Sequence, residues 1–352
     1  MTLVSLIVAP GSPTFLISDI LVSSTLPETA LIPTISRDSA YLQIGDSHFA
    51  VDVTQKIVLI RPWLCLGWAG LLHKSRNLIL LLDKILPTYI DNPQQIDRIL
   101  KSQINRDATD GLELLLCYIY QGNVFFYEKM TTKDFGHYGK LYCIGKGVGD
   151  FLSVLDTMSN ENNIVRGDMP VGMKALSFAA TSFFAQKFNG FGLENLWGGG
   201  MDIVLAGHDR FTRPESVLIR SFQYDYATDE LFRNQFFTLQ FTVNDDPCFI
   251  WPVDEENIEI LAVLPPHRMS EAVGVFDINR HINIMIDIGF GGDPRAIFHA
   301  ISVFDITDHL SDAPDFVLNS SGISYCVPEG IDRARMQAMQ SSLREQMKAL
   351  RS

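Results

Sequence analysis

Two short apolar runs open the chain. Leu3–Val8 and Thr14–Ser18 flank the turn cluster Ala9–Pro13, a pattern that predicts a β-hairpin. Residues 23–50 are polar and contain proline, with a short strand expected at Ala40–Ile44. Val51–Val53, Lys56–Ile60 and Leu64–Leu66 supply more strand material, the last entering a Gly-Trp-Ala-Gly turn. Apolar residues then fall at 71, 72, 78, 79, 82, 85 and 86. That spacing is a helical stripe which Pro87 stops, so a helix is predicted over Leu71–Leu86, with a shorter one over Pro93–Ile104. Period-two alternation returns at Leu112–Tyr120, Asn123–Glu128 and Leu141–Ile144 and predicts three strands. Helices are predicted at Phe151–Met158 and Val171–Phe188, the second carrying Met173, Leu176, Ala180, Phe183 and Phe184 in its stripe. A glycine-rich connection leads into a strand at Asp202–Ala206.

The order is strands, two helices, strands, two helices, strands. Two sheets face to face between two helical layers would bury every one of these stripes. The expectation is therefore an α+β fold, a four-layer αββα sandwich over residues 1–212. Beyond that point Phe236–Val243, Ile258–Leu264 and His281–Ile288 read as strands, and Gly330–Ser352 has a helical pattern rich in Met, Gln and Arg. Residues 213–352 are expected to form a β-rich C-terminal extension ending in a helix.

Composition narrows the function classes. The formal net charge of −13 argues against a nucleic-acid partner, which needs a basic face. The apolar start has no basic residue before it and breaks at Pro10-Gly11, unlike a signal peptide, and Leu78–Leu82 is too short to span a bilayer. The five cysteines are scattered and odd in number, which suits buried thiols in a reducing compartment and a cytoplasmic location. No cofactor and no metal are expected. The eight histidines contain no HExxH pair, and the acidic runs Asp245-Asp246 and Asp254–Glu256 lack EF-hand spacing and read as solvated loops.

Five features then occur in a telling order. Thr2 precedes the first strand, and Asp19 follows the second. Lys56 lies fourteen residues before Gly70, the last residue of Gly67-Trp-Ala-Gly70. Ile144-Gly-Lys-Gly147 follows a hairpin, and Trp197-Gly-Gly-Gly200 precedes an apolar strand. Over residues 2–210 this order and spacing resemble the active-site frame of proteasome β-type subunits and bacterial proteasome-like peptidases, which are N-terminal-nucleophile hydrolases. The resemblance implies an αββα fold and an oligomeric ring or smaller homo-oligomer. It also implies cleavage of amide bonds in a protein, a peptide or a small molecule.

On that resemblance, removal of Met1 exposes Thr2, whose hydroxyl attacks the carbonyl while its own α-amine, titrating near neutrality, takes the proton. Lys56 is the fixed cation, Asp19 its partner, and the Gly70 N–H the oxyanion donor. Lys146, Asn195 and Gly198 are accessory positions at which active proteasome subunits usually carry Ser, Asp and Ser. Taken singly, Thr2 suits a strand, Asp19 a turn, Lys56 a strand start, and Gly67 and Gly70 a tight turn. Two other functions stay open beside the threonine-type peptidase: a catalytically silent proteasome-like scaffold, and an amidohydrolase of a small amide.

Overall fold

The computed structural model describes residues 2–8, 14–28, 30–34, 43–44, 47–89, 91–103, 109–126, 131–134, 139–160, 171–252, 258–271, 279–291, 300–305, 316–319, 322–325 and 329–351. Most of the strand expected at 40–44, the acidic run 254–256 and Met1 lie outside these residues. The chain divides into two compact units. One comprises Met1–Ser153, Gly192–Arg213 and Val263–Ala272; the other comprises Val154–Phe191, Pro214–Ala262 and Val273–Ser352.

The first unit is built on two sheets. Strands β1 (Val4–Val8), β2 (Phe15–Asp19), β10 (Thr131–Asp134), β11 (Lys140–Ile144), β12 (Met201–Ala206) and β13 (Phe211–Thr212) form one of them, in the order β10-β11-β1-β2-β12-β13. Strands β6 (Ile57–Arg61), β7 (Leu64–Gly70), β8 (Leu112–Tyr120) and β9 (Asn123–Phe126) form the other, in chain order. A smaller sheet joins β3 (Leu21–Ser24), β5 (His48–Val53) and β4 (Gln43–Ile44).

Alternation along the strands decides what each face buries. Val4, Leu6, Leu16, Tyr142, Ile144 and Val204 from the six-stranded sheet meet Ile57, Cys65, Ala69, Leu115, Cys117 and Ile119 from the four-stranded one. The alternate residues Leu64, Leu66, Trp68, Leu116 and Tyr118 face the other way. They pack with Leu78, Ile79 and Leu82 of helix α1 (Leu72–Ile85) and with Ile96 and Leu100 of helix α2 (Pro93–Gln103). Each fully buried leucine contributes roughly 1.5–3 kcal/mol of transfer free energy. The first turn of helix α3 (Val148–Asn160) lies in this unit, where the Asp150 carboxylate accepts the Trp197 indole N–H at 3.0 Å.

The second unit centres on another six-stranded sheet, in the order β17-β16-β15-β14-β18-β19. Its strands are β14 (Ser216–Asp225), β15 (Glu230–Val243), β16 (Asp246–Pro252), β17 (Ile258–Ala262), β18 (Ile284–Gly291) and β19 (Ala300–Asp305). Strands β14 and β18 run parallel and the other neighbours antiparallel. A hairpin of β20 (Phe316–Asn319) and β21 (Gly322–Tyr325) adds Phe316 to the sheet's core. Helix α4 (Val171–Asn189) packs on β18 and β19, and helix α5 (Glu329–Arg351) packs on β15, β18 and β19. Met336, Met339 and Leu343 form the inward stripe of α5, against Phe222 and Tyr224.

A buried ionic cluster ties α5 to this sheet. Arg220 and Asp287 are register partners on β14 and β18, and the guanidinium reaches both carboxylate oxygens, at 2.7 and 3.0 Å. Arg335 of α5 donates to the same carboxylate at 2.7 Å, and Asp332 pairs with Arg220 at 2.8 Å. Asp287 is fully buried.

The four-layer αββα sandwich is not formed. The described residues are mostly strand, and they contain five helices, too few for two complete helical layers. The reason lies in α4. Its Phe184 ring meets Phe290 of β18 at 5.3 Å, so its apolar surface is consumed within the second unit. The first unit has one layer of helices over two sheets, and antiparallel strand pairing dominates the molecule.

Candidate functional site

The site grows from the end of the first hairpin. Strands β1 and β2 are antiparallel, with Val4 opposite Ser18, and this register brings Asp19 beside Leu3. The Leu3 N–H donates to Asp19 Oδ1 at 2.8 Å, and the Asp19 N–H donates back to the Leu3 carbonyl at 3.1 Å. The second carboxylate oxygen accepts the Gly198 N–H at 3.1 Å. Gly198, with φ +125°, also accepts the N–H groups of Ile20 and Leu21. The left-handed conformation is what lets this backbone close over the strand end.

Lys56 enters from the turn before β6. It is 3% exposed, its carbonyl accepts the Trp68 N–H, and its ammonium lies 4.5 Å from the Trp68 ring centroid. Burial pushes its pKa below the ordinary lysine range, and the Asp19 charge opposes that shift. Burial likewise pushes Asp19 up to about 6, against the lowering pull of Lys56 and of the Leu3 and Gly198 N–H groups. Among the described residues no direct ion pair joins Lys56 to Asp19. Each charge feels the other from a distance while both lie out of water.

Thr2 is fully buried, and its backbone is held from the other side. Its carbonyl accepts the Gly147 N–H at 3.2 Å. Gly145 comes closer still, since a Cβ there would sit 1.9 Å from the Thr2 oxygen and the residue has φ +97°. Gly145→Ala is therefore expected to lower stability by about 1–3 kcal/mol through backbone strain, and to push Thr2 out of place. Urea denaturation of the variant checks this, and an unchanged midpoint would contradict it.

The other expected positions serve different contacts. The Lys146 side chain is exposed. Asn195 is exposed and donates to Asp150 at 2.7 Å. Gly70 closes β7 with φ +118°, and a Cβ there would strike the Gly111 carbonyl at 2.1 Å, which accounts for the glycine. The structure thus gathers Thr2, Asp19, Lys56 and Gly198, and gives Lys146 and Asn195 surface positions.

Two supports were not anticipated. The segment before Lys56 is braced by residues far along the chain. Thr54 Oγ1 and the Gln55 N–H donate to the Leu264 carbonyl at 2.8 and 3.1 Å, and Gln55 Nε2 donates to the Val263 carbonyl at 2.8 Å. Backbone carbonyls at such separation leave no sequence signature. The second support is a buried ion pair, in which Arg213 donates twice to Asp202 with both distances 2.8 Å. A lone Asp inside the apolar strand Met201–Ala206, with an Arg just beyond the next strand, was the available signal.

No protein-family model matches this sequence, and no curated protein matches it. Among the described residues no group of three or more His, Cys, Asp or Glu side chains is placed to hold a metal ion, and no helix is long and apolar enough to cross a membrane.

Proposed function

We propose that the chain is an amide hydrolase of the N-terminal-nucleophile type, with Thr2 as nucleophile after removal of Met1. The observation that carries this reading is the burial of Lys56. A structural lysine normally extends its amine to water, because an ammonium held in a protein interior is costly. Here the amine lies over Trp68, in charge range of an equally buried Asp19, whose Oδ1 is bonded to the residue after Thr2. Such a pair is suited to chemistry.

In this mechanism the Thr2 hydroxyl attacks the amide carbon, and its proton passes to the α-amine. Lys56 stabilises the developing negative charge, and the amine returns the proton to the leaving nitrogen. Water then cleaves the acyl ester on Thr2 and regenerates the hydroxyl.

Intact mass measured before and after treatment with an electrophile selective for N-terminal threonine tests the reading. Loss of Met1 with a single adduct on Thr2 supports it. Thr2→Ala is expected to lower amide hydrolysis by at least about a thousandfold with the circular dichroism unchanged. Undiminished turnover in that variant would sink the nucleophile assignment. The complete burial of Thr2 favours a second reading, a catalytically silent module. Retained Met1 with no adduct selects that reading.

A further inference from the structure

We propose that Arg213 is a positioning residue for Lys56, holding the lysine segment at a fixed place relative to the strand that carries Asp19. The inference rests on the hydrolase reading, in which Lys56 is the working cation. Arg213 grips the chain on both sides of Lys56. One terminal nitrogen, Nη2, donates to the Ile57 carbonyl and to Asp202 Oδ2, both at 2.8 Å, and the Gln55 side-chain oxygen at 3.2 Å shares one of those two hydrogens. The same guanidinium is anchored by the bidentate pair with Asp202, and neither side chain is more than 1% exposed. Asp202 is the register partner of Ser18, one residue before Asp19, and Asp19 is the partner of Met201. A planar fork with fixed donor directions therefore links β12, and through it β2, to the turn that presents Lys56.

The remaining contacts of this turn concern its neighbours or its backbone. The Trp68 indole N–H donates to the Gln55 carbonyl at 3.1 Å, and the Trp68 backbone N–H donates to the Lys56 carbonyl at 3.0 Å. These hold the height of the turn over β7. The Thr54 backbone N–H donates to the Ile20 carbonyl at 2.8 Å and ties the turn to the residue after Asp19, while the Arg213 fork is a side-chain link from the turn to β12. Asp202 is on the same face of β12 as Val204 of the inter-sheet core, and loss of the fork is expected to loosen the turn and let water approach Lys56.

The double variant Arg213→Met/Asp202→Leu tests the proposal. Replacing a buried ion pair by apolar residues of similar volume tends to preserve stability, so the fold survives while the fork is lost. Lysines carrying carbon-13 at Cε are followed by NMR across a pH series, with Lys56 assigned by loss of its signal in Lys56→Met. In the double variant the Lys56 titration is expected to move up toward the ordinary lysine range as water reaches it. The kcat for amide hydrolysis is expected to fall by about a hundredfold with KM little changed, the loss typical of a misplaced group. A folded variant with Lys56 titration and kcat both unchanged would overturn the assignment.

If the double variant does not fold, Arg213→Lys decides the matter. It keeps the cation on Asp202 and loses the fork, so an unmoved Lys56 titration there overturns the proposal equally. Should the wild-type protein hydrolyse no amide, the hydrolase reading fails on its own. The titration still reports whether Arg213 sets the environment of Lys56.

Discussion

Asp19→Ala is expected to lower the free energy of unfolding by about 2–6 kcal/mol, since two buried N–H groups each lose an acceptor at a cost of about 1–3 kcal/mol. Two effects combine. The buried Lys56 ammonium loses the carboxylate that offsets its desolvation, and the N–H groups of Leu3 and Gly198 lose their acceptor. Urea denaturation at neutral pH measures the change, and a loss below about 1 kcal/mol, the worth of an exposed pair, would show that the carboxylate is dispensable. Amide hydrolysis should disappear with it.

Asp19→Asn separates charge from shape. The wild-type carboxyl is raised from the ordinary 3.8 to about 6, so the folded state binds its proton more tightly than the unfolded chain does. Its contribution to stability is present in full below about pH 4 and is lost as pH rises through about 6. Lys56 has the opposite shift for its charge type. Its contribution is present above the ordinary lysine value of 10.5 and is lost as pH falls through the lowered value. Between about pH 4 and 6, the stability of the wild type should therefore fall relative to that of Asp19→Asn. Parallel stability curves for the two proteins would contradict the shift.

The second large effect lies away from the site. Asp287→Ala is expected to destabilise the unit built on β14–β19 by about 3–5 kcal/mol, because Arg220 and Arg335 both direct guanidinium bonds at that one buried carboxylate. The triple variant Arg220→Met/Asp287→Leu/Arg335→Met should recover most of that loss, since neither guanidinium is left buried beside a missing carboxylate, and Asp332, which loses Arg220, has a side chain 41% exposed to water. Thermal and urea unfolding of the two variants give the comparison. Equal destabilisation would mean that the bonds, rather than uncompensated charge, carry the effect.

The parts of the fold that were legible are those where apolar spacing alone decides the answer. Strand β1 was expected at Leu3–Val8 and runs Val4–Val8, and α1 was expected at Leu71–Leu86 and runs Leu72–Ile85. Both present one distinct apolar face, and the facing sheet or helix must cover it. The apolar spacing predicts a helix over Val171–Phe188, close to the observed Val171–Asn189, but does not name its partner. Leu176, Phe178, Ala179, Ala180, Phe183 and Phe184 are buried all around its axis, so the pattern fixed its length without naming a neighbour. That ambiguity is what made a fourth layer look reasonable.

The site divides in the same manner. Asp19 and Lys56 stand out in the sequence only through the resemblance to the proteasome-like frame, since taken singly they read as a strand end and a strand start. The Arg213 fork and the carbonyls of Val263 and Leu264 do not stand out, because they join residues whose partners lie 11 to 210 positions away.

The brace on Thr54 and Gln55 has a consequence for how the protein forms. The Thr54–Leu264 bond closes a loop 210 residues long, and it sits next to the lysine of the candidate site. Bonds of such high sequence separation form late, after local strand pairs and helices have settled. On the ribosome the hairpin carrying Asp19 is complete early, while the turn carrying Lys56 waits for residues 263 and 264 to emerge. A nascent or truncated chain ending before residue 263 therefore has the hairpin and the lysine turn of the site without this brace, and the site matures only after Val263 and Leu264 are made.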